Sequence, residues 1–128
     1  GFERRVRFLA GDYLSDDFPR NNDLILMCNI LHQEKPKSVR LLFQKAAASL
    51  KKDGRLIIHE TLLDETNEIP LPVALGAVNN LIYYGSQTYP EYRVIKWLRT
   101  SGFHIRDQKE TKEPGVRIIM AQSTASPE

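Results

Sequence analysis

The sequence has no glycine-rich turn joining an apolar strand to a helix, the device with which many cofactor-binding α/β domains open, and its seven glycines are scattered. It has a single cysteine, Cys28, which excludes an internal disulfide framework and a four-cysteine zinc site and fits a reducing compartment. It has no apolar run near the ~20 residues needed to span a bilayer, and no segment reads as a secretory signal. Nor is there a block of positive charge. Lys51-Lys52 is the sole adjacent lysine pair, and a net charge of +2 is too small to imply nucleic acid or an anionic membrane as partner. What is present is ordinary: 128 residues, 41% hydrophobic and 27% charged, suit one globular domain. A cytoplasmic enzyme or binding protein remains.

The order of elements is the next signal. Residues 5–9 read as a short strand, followed by a turn in which Gly11 supplies backbone freedom and Asp12 bonds backbone amides. Residues 24–28 form a continuous apolar run, the pattern of a strand covered on both faces. Pro36 then opens a helix. Val39, Leu42, Phe43, Ala46, Ala47 and Leu50 fall on one stripe, with Arg40, Gln44 and Lys45 off it. Gly54 reads as that helix's left-handed cap, and residues 55–59 as the next strand. Residues 61–68 are polar enough for a loop, and residues 73–84 for a mostly apolar helix. Thr88 and Glu91 have capping-box spacing for a helix carrying Val94, Ile95 and Leu98 inward and stopping at Gly102. Residues 103–108 and 116–121 are two last strands joined by a charged turn, and residues 123–128 a frayed tail. Five strands and three helices in this order predict an open α/β sheet with an antiparallel edge strand.

Two titratable residues stand where such a sheet builds a ligand site, at the carboxyl ends of neighbouring strands. His32 follows the first apolar run and Glu60 ends the second. His32 suits a general base near neutral pH, and a nearby carboxylate would hold one tautomer and favour the charged ring. The same residues also admit a plainer account, with His32 bonded to backbone and Glu60 solvated.

A set of motifs sharpens the choice. Gly11-Asp12-Tyr13, Asp23-Leu-Ile-Leu ending in Asn29-Ile-Leu-His32, and Arg55-Leu-Ile-Ile-His-Glu60-Thr-Leu-Leu-Asp resemble the plant-type and acetylserotonin-type O-methyltransferases. Ser101-Gly102-Phe103 and Arg117-Ile-Ile-Met-Ala are similar to that family's last helix and last strand. The resemblance implies a Rossmann-like class I methyltransferase sheet, with residues 1–122 as its C-terminal portion. It also implies transfer of a methyl group from S-adenosylmethionine to a hydroxyl, phenolic by the modest strength of the base, on a small-molecule acceptor. By the same match His32 is the base, Glu60 flanks it, and Asp12 and Tyr13 border the cofactor's adenine. Leu71, Val73, Leu75, Val78, Leu81, Ile82 and Tyr83 would line the acceptor pocket, or serve as core or dimer contacts. The family's glycine-rich loop and its dimerisation domain are expected upstream of Gly1, in a homodimeric full-length enzyme.

The sequence also departs from the pattern. Cys28 stands where plant members carry a cofactor-contacting lysine, and a thiol cannot make that charged contact. Gln33-Glu34 replaces the frequent Asp-Trp after the histidine. Between Gly85 and Tyr89, where a second acid is expected, stand Ser86, Gln87 and Thr88. Two other readings stay open on these residues: a member with other chemistry, such as decarboxylation or hydroxylation, and a non-catalytic piece serving assembly.

Overall fold

The computed structural model describes residues 1–64, 69–85 and 87–124. The chain forms β1 (Asn22–Cys28), α1 (Pro36–Ser49), β2 (Leu50–Thr61), α2 (Leu71–Tyr84), α3 (Glu91–Thr100), β3 (Phe103–Glu110) and β4 (Val116–Ser123), with 3-10 turns at Phe2–Arg5 and Leu31–Gln33. The strands make one sheet in the order β1-β2-β4-β3. β1 and β2 are parallel, as an intervening helix requires, and β4 runs antiparallel to both β2 and β3. The α/β sheet with an antiparallel edge strand, β3, is therefore present.

The core lies on one face of this sheet. Val39, Leu42, Phe43 and Ala46 of α1 and Val94, Trp97 and Leu98 of α3 pack on Met27, Leu56, Ile58, Ile119 and Ala121. The helical stripes anticipated for α1 and α3 are thus the buried ones, because residues three and four apart share a helix face. On β2 the two-residue alternation buries Leu56, Ile58 and Glu60 together.

Several local expectations are corrected. Residues 5–9 are not a strand: after the turn at Phe2–Arg5 the chain is irregular, and Val6, Phe8 and Leu9 are exposed. A strand needs a partner edge, and among the described residues none pairs with this segment. β1 is covered on one face only, since Leu24 and Leu26 point away from Met27 and are 53% and 62% exposed. Gly54 does not cap α1, which ends at Ser49 with Leu50 already extended. It lies inside β2, where Asn22 pairs with Leu50 but Leu24 pairs with Arg55, so residues 51–54 bulge. A Cβ on Gly54 would sit 2.9 Å from the Lys51 carbonyl oxygen, and close approach is what demands glycine here. The capping box at Thr88 and Glu91 does not form, because Pro90 occupies the N-cap of α3. Leu63 bridges Pro90, and the Glu91 N–H donates to the Leu63 carbonyl at 3.1 Å. Ser123 belongs to β4 rather than to a tail; residues 65–68 of the expected loop, Ser86 and residues 125–128 lie outside the described residues.

Candidate functional site

β1 and β2 run in register from Leu24 opposite Arg55 to Cys28 opposite His59, so both leave the sheet at the same end. Asn29 takes a left-handed φ of 54°, which asparagine tolerates, and its N–H makes a last bond to the His59 carbonyl at 3.0 Å. The chain then turns through Leu31–Gln33, and this turn presents His32 beside the end of β2.

Glu60 receives it. Its side chain is 1% exposed, and every contact is one a carboxylate can accept. The Leu31 N–H donates to Oε2 at 2.9 Å, the Thr61 N–H donates to Oε1 at 2.9 Å, and His32 Nδ1 lies 2.8 Å from Oε1. A carboxylate only accepts, so in the neutral imidazole Nδ1 carries the proton and Nε2 is the basic nitrogen. The two backbone bonds fix the carboxylate, and the carboxylate fixes the ring. Tyr84 adds an edge-to-face contact, with ring centroids 6.1 Å apart.

His32 borders a cavity of about 230 Å³ shared with Thr61, Pro72, Val73, Gly76, Asn80, Thr88 and Pro114. Of the seven apolar α2 residues anticipated as a pocket wall, Val73 alone borders it; Leu71, Leu75, Val78, Leu81, Ile82 and Tyr83 are exposed. Asn80 and Thr88 were not legible as wall residues. The spacing of Thr88 suggests a cap, yet its hydroxyl accepts from the Asn80 amide at 3.4 Å, in the Gly85–Tyr89 segment where the family resemblance implies a second acid.

Asp12 and Tyr13 occupy a separate turn. The Leu14 N–H donates to Asp12 Oδ1 at 2.8 Å and holds the Asp12 carboxyl below the usual carboxylate range. Lys45, from α1, donates to the carbonyls of Tyr13 at 2.6 Å, of Leu14 at 3.2 Å and of Asp16. The Tyr13 hydroxyl donates to Glu34 Oε1 at 2.5 Å, which links this turn to the segment just after His32. That hydrogen bond, with burial and the negative charges of Glu34 and Asp12, pushes the Tyr13 phenol up to about 12. Burial also raises Tyr89. Both phenols hold their protons more tightly folded than unfolded. Their contribution to stability is therefore complete below pH ~10 and is lost at higher pH, for Tyr13 as pH rises from about 10 towards 12. Denaturant midpoints measured across that window are expected to fall, and Tyr13→Phe to flatten the slope; an unchanged slope would place the Tyr13 phenol in ordinary solvent.

Cys28 is exposed and faces His59 across the strand pair, apart from the contacts just described. Among the described residues no cluster of three or more His, Cys, Asp or Glu could hold a metal, and no helix is long and apolar enough to cross a membrane.

Residues 1–104 match the family model of the O-methyltransferase domain. A human protein described as a probable bifunctional dTTP/UTP pyrophosphatase/methyltransferase is 30% identical over 102 residues, covering 78% of this chain and 16% of its own length. The structure of human N-acetylserotonin methyltransferase, in complex with S-adenosylmethionine, superposes with a TM-score of 0.85 at 25% identity, covering 98% of this chain and 36% of that one. An O-methyltransferase family 2 protein from Planctomyces limnophilus, in complex with apigenin, gives 0.78 at 28% identity, covering 88% and 33%. The chain spans little more than a third of even the better covered of these relatives.

Proposed function

From the premise that the chain belongs to the O-methyltransferase domain family, we propose that it supplies the base and the acceptor side of an S-adenosylmethionine-dependent methyl transfer to a small-molecule hydroxyl. The observation that carries this reading is the buried Glu60 carboxylate bonded at 2.8 Å to His32, at the ends of two adjacent parallel strands and beside a cavity.

The chemistry of the residues fits the cofactor. Asp12 is a charged, exposed acceptor for an amine such as that of adenine, and the 39% exposed Tyr13 ring offers a flat apolar surface beside it. When bound, S-adenosylmethionine supplies a methyl carbon on a positively charged sulfur, an electrophile that needs little further activation. The chain's task is then alignment and deprotonation. His32 Nε2 takes the acceptor's hydroxyl proton as the oxygen forms its new bond to carbon and the carbon–sulfur bond breaks. The imidazolium so formed is stabilised by Glu60, already hydrogen-bonded to Nδ1.

A phenol is the acceptor class this arrangement suits. Its acidity, near pKa 10, matches an imidazole base far better than an aliphatic alcohol's does. The cavity mixes apolar walls at Pro72 and Val73 with polar groups at Asn80 and Thr88, as an aromatic ring bearing hydroxyls requires. The apigenin complex of the related protein accords with that choice. Incubation of the natural full-length protein with methyl-labelled S-adenosylmethionine and a panel of small phenols and aliphatic alcohols is expected to place label on phenolic oxygen. Label on carbon, or cofactor binding with no labelled product from any acceptor, would overturn the proposal.

A further inference from the structure

Glu34 lies between the two turns described above and touches both. Its carboxylate accepts from the Tyr13 hydroxyl at 2.5 Å. Its backbone N–H closes the His32 turn by donating to the Leu31 carbonyl at 3.1 Å, and its carbonyl accepts from the Tyr89 hydroxyl at 2.5 Å. Tyr89 is itself fixed: it is 1% exposed, stacks edge to face on Trp97 with centroids 5.1 Å apart, and accepts from the Leu63 N–H at 3.0 Å. One end of Glu34 is therefore anchored to the core and the other holds Tyr13. The Tyr13 backbone is meanwhile held from α1 by Lys45.

This arrangement is a strut. A short hydrogen bond from a phenol to a carboxylate is among the stronger polar contacts available, and it is geometrically strict. Tyr13 can keep that bond only while the Leu31–Gln33 turn, which immediately precedes Glu34, stays in place. Movement of either turn strains the other.

We propose that Glu34 is a positioning residue tying the Asp12–Tyr13 turn to the His32 turn, so that a cofactor ordering the first also orders the base in the second. The inference rests on the methyl-transfer reading and deepens it, because it makes occupancy of the adenine side a condition for a well-aligned base. Glu34 touches no reacting atom; it acts through Tyr13 and through the backbone of the histidine turn.

A double-mutant cycle in the natural full-length protein tests it. S-adenosylmethionine affinity is measured by calorimetry, and turnover at saturating cofactor is measured separately. Tyr13→Phe and Glu34→Ala should each weaken cofactor binding by about threefold to tenfold, the range of one ordinary net hydrogen bond, since this one is exposed to solvent. The double variant should be no weaker than either single one. Tyr13→Phe should also lower turnover at saturating cofactor several-fold, which a merely local role at the adenine would not do. Glu34→Gln keeps an acceptor oxygen and should recover most of both losses. Affinity losses that multiply in the double variant, or full turnover in Tyr13→Phe, would overturn the coupling while leaving the methyl-transfer reading intact. Should the wild-type protein transfer no methyl group, that reading fails first. Nuclear magnetic resonance titration of Tyr13 without cofactor then still decides the strut: ionisation near 12 that falls towards about 10 in Glu34→Ala supports it, and ionisation near 10 in the wild type refutes it.

Discussion

If His32 is the base of the proposed methyl transfer, His32→Ala in the natural full-length protein is expected to lower turnover by about 10²- to 10⁴-fold, the ordinary worth of a positioned general base, and to leave S-adenosylmethionine affinity unchanged. The size follows from the reaction. The methyl donor is an electrophile without help, so an unassisted acceptor still reacts, but only through its small ionised fraction at neutral pH. Raising the pH should therefore restore much of the variant's rate, as more of a phenolic acceptor ionises unaided. The wild type, with His32 to take the proton, should depend less on such unaided ionisation of the acceptor. Product formation across a pH series in both proteins measures this. Equal rates at pH 7 would make His32 a structural residue of the Leu31–Gln33 turn, bonded to Glu60 for stability alone.

Glu60→Gln is expected to do two kinds of damage at once. The carboxylate serves three donors, the N–H groups of Leu31 and Thr61 and the Nδ1 side of His32. An amide of the same shape has one accepting oxygen, and its NH₂ group must take either the Oε1 place, facing both His32 and the Thr61 N–H, or the Oε2 place, facing the Leu31 N–H. If it faces His32, Nδ1 becomes the acceptor and the ring proton moves to Nε2, where it blocks deprotonation; turnover falls by about 10- to 10³-fold. If it faces Leu31, a buried N–H is left unsatisfied at a cost of about 1–3 kcal/mol. Turnover and denaturant midpoint measured together partition the two. Wild-type values of both would show that Glu60 neither orients the ring nor holds the turn. Glu60→Asp separates reach from charge, because the shorter acid keeps the charge but cannot span all three donors.

Most of the fold was legible because its elements follow simple periods. The α1 stripe from Val39 to Ala46, the α3 stripe of Val94 and Leu98, and the burial of the β2 residues Leu56 and Ile58 all obey the helical or two-residue repeat. The misses come where backbone context outranks local pattern. Gly54 looks like a helix cap because a basic helix end precedes it, but the bulge opposite Asn22 decides its place. Thr88 and Glu91 have the right spacing for a capping box, but the Leu63–Pro90 bridge claims the backbone first. Residues 5–9 have strand composition, yet among the described residues no strand pairs with them, although the outer edge of β1 is open.

The candidate site was legible in its endpoints and not in its connections. His32 and Glu60 could be paired because each closes an apolar run, and parallel strands bring such ends together. Tyr13 and Glu34 are 21 positions apart with no shared pattern, so their contact could be found only in three dimensions. The same holds for Asn80 and Thr88 at the cavity. The exposed side chains of Leu71, Leu75 and Ile82 show the converse limit: an apolar helix announces that it will be covered, not by what.

The alignment of β2 against β1 has a consequence for how an inactive molecule could arise. Glu60 reaches Leu31 and His32 because it shares a face with Leu56 and Ile58, and strand residues alternate sides. Sliding β2 by a single position would turn Glu60 to the opposite side and bring His59 or Thr61 to its place. Such a molecule would keep a full ladder of backbone bonds and much of its helix content, yet would offer no acid to the histidine. Chemical competence therefore reports on strand alignment more sensitively than any measure of secondary structure. Activity per molecule, followed during refolding, would distinguish correctly aligned sheets from those that are merely formed.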